Sequence, residues 1–185
     1  AWSPSTLFEL PNGCTRLSGP ASQFWSGAIH RFWSDPDPAP DLLLLLSSTL
    51  SAEVEGISAA GATPESRRYT AIADAELLLY GPSHRPLWPL PPLPAGVSPA
   101  LIRWVAAEAI RIQPWVGAIG LSNVPPFAHL RFEDPQLGPA SCISSGHSMT
   151  PQRVRQLLNQ GQRLGEPSRH PLVLADCVPG GTTTA

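Results

Sequence analysis

In 185 residues the chain carries 42% hydrophobic side chains and a formal net charge of −2. That is enough apolar material for a sizeable core, with no basic stripe of the kind that neutralises a nucleic-acid backbone or an anionic membrane surface. All twelve basic residues are arginines, which excludes Schiff-base lysine chemistry and a Walker-type phosphate loop.

Residues 1–34 hold three of the six tryptophans, and a helix is expected from Ala21 to Trp33, stopped by Asp35-Pro-Asp-Pro. We read 1–40 as a helical and irregular segment and 41–185 as an incomplete nucleotide-binding domain. The run Asp41-Leu-Leu-Leu-Leu-Leu-Ser-Ser is expected to be a strand buried on both faces, since an apolar run bounded by turn residues suits a central parallel strand. Thr49 to Ala73 is polar and rich in small residues, the composition of a ligand-binding stretch at a strand's carboxyl end. Ala75-Glu-Leu-Leu-Leu-Tyr-Gly is expected to form a second strand. An extended segment through Pro82, Pro86, Pro89, Pro91, Pro92 and Pro94 follows.

Ser98 and Pro99 open a helix on which Leu101, Ile102, Val105, Ala106 and Ala109 recur at helical spacing. Ile112 to Ile119 is expected as a third strand, with irregular chain from Gly120 to Met149. Thr150 and Pro151 repeat the helix-start signal before Val154, Leu157, Leu158, Gly161 and Leu164, and Gly165 is a natural stop. Pro171 to Val178 reads as a further strand. This order predicts an α/β fold, a Rossmann-like parallel sheet with right-handed crossovers and helices on both faces, truncated before completion.

The last residues, Leu-Ala-Asp-Cys-Val-Pro-Gly-Gly-Thr-Thr-Thr-Ala from Leu174, describe a buried strand, an acidic residue near its end, and a turn of glycines and threonines. Glycines let a backbone approach a bulky anion, and free amides at a helix start carry about half a positive charge toward it. The helix that such a turn should open is absent before Ala185, which we read as truncation. This motif resembles the strand-loop-helix of the nicotinate-nucleotide:dimethylbenzimidazole phosphoribosyltransferase family. The segments Leu46-Ser-Ser-Thr-Leu-Ser-Ala-Glu-Val-Glu-Gly-Ile-Ser-Ala-Ala-Gly-Ala-Thr-Pro-Glu, Ala73-Asp-Ala-Glu and Leu93-Pro-Ala-Gly-Val-Ser-Pro-Ala are similar to a largely uncharacterised microbial branch of it.

The resemblance implies a homodimeric enzyme of cobalamin lower-ligand synthesis that moves phosphoribose from nicotinate mononucleotide to a benzimidazole-like base. It implies that Gly180, Gly181, Thr182 and Thr183 cradle the 5′-phosphate, with Asp176 near the ribose or the reacting base. The characterised enzymes have Glu at the Asp176 position, and their proposed general base is a glutamate of the C-terminal part, beyond residue 185. This fragment is therefore expected to be inactive alone. The alternative is a non-catalytic nucleotide- or metabolite-binding protein of the same fold.

Glu53, Glu55 and Asp74 flank expected strand ends and are possible ribose or base contacts, although such acids are more often solvated. Arg67 and Arg68 suit a phosphate or, more commonly, a surface ion pair. Ser145 and His147 lack a nucleophile-elbow context, and the five histidines lack ligand spacing. No metal, cofactor or nucleic acid is expected. Cys14, Cys142 and Cys177 form no Cys-x-x-Cys pair and fit a reducing compartment. With no apolar run approaching the roughly 20 residues of a membrane span and no signal peptide at the start, the expected location is cytoplasmic.

Overall fold

The computed structural model describes residues 41–58, 60–88, 99–110, 112, 114–166 and 172–181. The expected Ala21 to Trp33 helix, the Ser98 cap, most of the proline run, Thr182 and Thr183 lie outside them. Four strands make one parallel sheet: β1 (Asp41–Ser47), β2 (Pro114–Ile119), the short β3 (Leu130–Arg131) and β4 (Leu172–Cys177), in the order β3-β2-β1-β4. The helices are α1 (Pro64–Arg67), α2 (Thr70–Tyr80), α3 (Pro99–Ile110) and α4 (Pro151–Gly165). The chain is thus an α/β fold on a parallel sheet.

The leucine run becomes the central strand because both its edges are taken. Leu44 pairs with Val116 on one side and Ala175 on the other, and Leu46 with Ala118 and Cys177. These residues share one face, since strand side chains alternate. Leu44, Leu46 and Val116 are buried there in one cluster with Ala71, Ile72, Ala75 and Leu78 of α2, plus Ala107, Leu121 and Phe127.

The expected strand from Ala75 to Gly81 is instead the second half of α2, which stops at Gly81. Its three leucines are too short a run to separate strand from helix. The deciding signal lies upstream, where Ala71, Ile72, Ala75 and Leu78 fall on one stripe of a 3.6-residue period, in a segment dominated by the strong helix formers Ala and Leu. The polar stretch Thr49 to Ala73 is likewise not one loop. It contains a 3-10 turn at Leu50–Glu53, α1 with a Thr63–Ser66 capping box, and the start of α2.

Helix α3 lies where its spacing put it, but Ala100 and Ala107 are buried, while Ile102 and Val105 are exposed. After Gly81 the chain turns, with His84 N–H donating to the Gly81 carbonyl. It folds back on α2: the buried Glu76 carboxylate accepts from Leu87 N–H at 3.1 Å, and Trp88 stacks on Tyr69. Thr150 caps α4 by accepting from Arg153 N–H, as the Thr-Pro signal implied. No helix among the described residues is long and apolar enough to cross a membrane.

Candidate functional site

In an open parallel sheet, ligands bind at the carboxyl ends of the strands where the strand order reverses. Here the chain leaves β1 toward β2 on one side, and β4 lies on the other side of β1, so the reversal falls between β1 and β4. Beyond β1 come Ser48, Thr49 and the 3-10 turn Leu50–Glu53; beyond β4 comes the Val178–Gly181 turn.

These segments are joined by specific bonds. Thr49 Oγ1 donates to the Pro179 carbonyl at 3.0 Å, across 130 residues of sequence. Gly181 N–H closes its own turn on the Val178 carbonyl at 2.7 Å. The loop before α4 adds a third wall: Ala140 N–H donates to the Ser48 carbonyl, Leu50 N–H to the Ala140 carbonyl, and Ile143 N–H to Ser51 Oγ. Gly180 has φ +72°, and a Cβ built there would lie 2.6 Å from Thr49 Oγ1 and 2.8 Å from Ala52 N. The glycine is thus required by close packing of the two turns as well as by its backbone conformation.

The expected site residues divide by place. Gly180 and Gly181 stand at the reversal point beside Thr49 and Ala52. Glu53 ends the 3-10 turn, with its carboxylate held by Arg68 through bonds of 2.9 and 2.7 Å. Glu53 raises the Arg68 guanidinium pKa still further, chiefly through these hydrogen bonds. Asp74 on α2 reaches the same end of the sheet, accepting from the Cys177 thiol at 3.4 Å. Glu55 is exposed on a turn, and Asp176 is exposed on the sheet face opposite α2. Ser145 Oγ donates to the Cys142 carbonyl in a local turn.

Arg67 takes neither role considered for it. It is 8% exposed and donates to three carbonyls, Ala52 at 2.9 Å, Gly61 at 3.1 Å and Val54 at 3.3 Å, which fixes the loop beyond β1. Sequence reasoning also passed over Ser48, Thr49 and Ser51. Ser48 Oγ is buried with no hydrogen-bond partner among the described residues, a rare state for a buried hydroxyl. The available signal was their position directly after the apolar run. A groove of about 730 Å³ runs between the loop before α4 and that helix. Thr150, Arg153, Gln156 and Gln160 line it at helical spacing, and Arg153 is held there by bidentate bonds to Glu133 at 2.9 and 2.6 Å. No group of three or more metal-binding side chains occurs among the described residues.

Two thiols differ sharply. Hydrogen bonding from Ser144 lowers the Cys142 pKa, whereas burial, then the Asp74 carboxylate, pushes the Cys177 thiol far up. Iodoacetamide at mildly alkaline pH is therefore expected to modify Cys142 first and Cys177 only on unfolding, which peptide mass spectrometry resolves. Equal rates would contradict the packing of Cys177. The linkage runs the same way. A raised folded-state pKa gives stability that is complete below the thiol's ordinary value of 9.0 and declines as pH rises above it.

No family model matches the chain. It is 55% identical, over 98% of its length, to the UPF0284 protein of Parasynechococcus marenigrum, of which it covers 46%. It is 59% identical over 95% of its length to the UPF0284 protein of Prochlorococcus marinus strain MIT 9313, covering 44% of it. The Nostoc UPF0284 protein is 42% identical over 80% of the chain and is covered to 39%. With the chain spanning less than half the length of these relatives, the similarity makes it a homologue of part of a UPF0284 protein.

Proposed function

We propose that the chain is part of a phosphoribosyltransferase-like enzyme that transfers phosphoribose from nicotinate mononucleotide to a benzimidazole-type base. The observation that carries this reading is the position of the Val178–Gly181 turn. It lies at the strand-order reversal, held to the loop beyond β1 by the Thr49 to Pro179 bond, in the segment whose residues resemble the family's phosphate turn. Because Gly181 N–H is committed to Val178, the phosphate donors in this reading are chiefly Thr182 and Thr183, while Gly180 and Gly181 shape the turn. The buried Ser48 hydroxyl, without a partner among the described residues, is a further polar group directly after β1 at the same reversal.

In this reading catalysis is positional. The phosphate anchor holds the nucleotide and the acceptor nitrogen attacks the anomeric carbon as the bond to nicotinate breaks. A carboxylate outside these residues takes the acceptor's proton. Oxocarbenium character at the sugar is stabilised by nearby carboxylates and carbonyls. The protein acts as a homodimer in the cytoplasm.

The natural full-length chain incubated with nicotinate mononucleotide and dimethylbenzimidazole should release nicotinate and form an α-ribazole phosphate, followed by mass spectrometry. Thr182→Val, which keeps the side chain's shape and removes its hydroxyl, should weaken nucleotide binding while the thermal melt stays unchanged. Binding without product would favour the non-catalytic nucleotide-binding alternative. Neither binding nor product would overturn both readings.

A further inference from the structure

Helix α3 carries a charge on the stripe that it turns inward. Ala100 and Ala107 are buried, and Arg103, three residues after the one and four before the other, lies on the same stripe. Its Nη1 is buried without a hydrogen-bond partner among the described residues. A guanidinium in that state costs folding free energy until an acceptor meets it. Arg67, Arg68 and Arg153, by contrast, already hold carbonyls or carboxylates.

The surroundings of Arg103 belong to the strand-order reversal. Ala107 packs in one cluster with Leu44 and Leu46, and Cys177 lies against that cluster. Burial and then the Asp74 carboxylate push the Cys177 thiol up, and the positive charge of Arg103 partly offsets them. Leu46 and Cys177 are register partners, so this is the α2 side of the carboxyl end of β1 and β4. Ser48 is 4% exposed and continues the Leu44, Leu46 row by strand alternation. Its hydroxyl is the other buried side-chain polar atom without a partner among the described residues. Asp74 is the acid on this side, accepting from the Cys177 thiol at 3.4 Å. A dianionic phosphate would meet like charge there, whereas a ring that bears both a cationic nitrogen and a carboxylate complements an acid and a guanidinium together. The pyridine ring of nicotinate mononucleotide is such a group.

We propose that Arg103 selects a pyridine nucleotide bearing a ring carboxylate, its guanidinium fork donating to that carboxylate with the Ser48 hydroxyl as a second donor. The inference rests on the phosphoribosyltransferase reading and deepens it, by naming what separates the accepted nucleotide from its amide analogue.

The test is isothermal titration of the natural full-length chain with nicotinate mononucleotide and with nicotinamide mononucleotide, which carries an amide in place of the carboxylate. The unsubstituted chain should bind the carboxylate form at least about tenfold more tightly, and Arg103→Gln should cut that preference to within about twofold without changing affinity for the amide. The ligand-free melting temperature of the variant should hold or rise, because an unpaired buried charge has been removed. Parallel loss of both affinities would overturn the proposal in favour of a phosphate contact. A preference that survives the substitution, or an unsubstituted chain that does not distinguish the two nucleotides, would overturn it and leave the phosphoribosyltransferase reading standing. Binding of neither nucleotide by the unsubstituted chain would remove that reading and the inference with it. A melting temperature several degrees lower, or a variant that does not fold, would also reject the proposal, since a structural acceptor elsewhere in the polypeptide would then hold Arg103.

Discussion

Replacing Gly180 by alanine is expected to destabilise the full-length protein by about 2–4 kcal/mol in urea denaturation, from left-handed strain plus overpacking. The residue stands at φ +72°, where a side chain meets its own carbonyl and costs about 1–2 kcal/mol. A Cβ would also press on Thr49 Oγ1 and on the Ala52 backbone, and a backbone neighbour in a hydrogen-bonded turn yields little. Gly146 separates the two terms. It has φ +70° with nothing within 4 Å of its notional Cβ, so Gly146→Ala should show the conformational cost alone. A larger loss at 180 than at 146 measures the packing of the β4 turn against the loop beyond β1. Equal losses would mean that the two turns are not pressed together at the strand-order reversal. Nicotinate mononucleotide affinity should fall with Gly180→Ala and hold with Gly146→Ala.

The residues behind this prediction also mark what the amino-acid order can and cannot reveal. β1, β2 and β4, the α3 and α4 starts and the parallel sheet were legible because each rests on a local pattern: a five-leucine run, a Ser-Pro or Thr-Pro start, an apolar segment closed by glycine. Ala75 to Tyr80 was misread for the same reason, since Leu-Leu-Leu has no period and its helical identity depends on packing of Ile72, Ala75 and Leu78 against β1. The Gly180-Gly181 turn was visible, but its partner was not. That Thr49 grips the Pro179 carbonyl is a contact over 130 residues, and no short-range pattern encodes it. Asp74, on α2, and Asp176, on the face of β4 turned away from α2, stand on opposite sides of the sheet, a separation set by the helix packing and the strand alternation together.

Arg67 is the second place where a large loss is expected. Arg67→Ala removes the donors to the Ala52, Val54 and Gly61 carbonyls. With a buried carbonyl left unpaired costing about 1–3 kcal/mol and part of this site open to water, a loss of about 3–4 kcal/mol is expected. Arg67→Lys should recover less than half of it, because an ammonium is a single compact donor and cannot span three carbonyls that the guanidinium fork reaches together. Arg68→Ala is the contrast. That side chain makes an exposed ion pair with Glu53, and its removal should leave the denaturation midpoint unchanged within error. Hydrogen exchange gives the local readout. In Arg67→Ala the amides of Ala52 and Val54, which bond back to Thr49 and Ser51, should lose protection before the amides of β1 do. Since Ala52 is also the residue against which Gly180 packs, nucleotide affinity should fall with the same variant. If Arg67→Lys instead matches the unsubstituted protein in stability and exchange, one charge at that position suffices and the three-carbonyl clamp is not what holds the loop beyond β1.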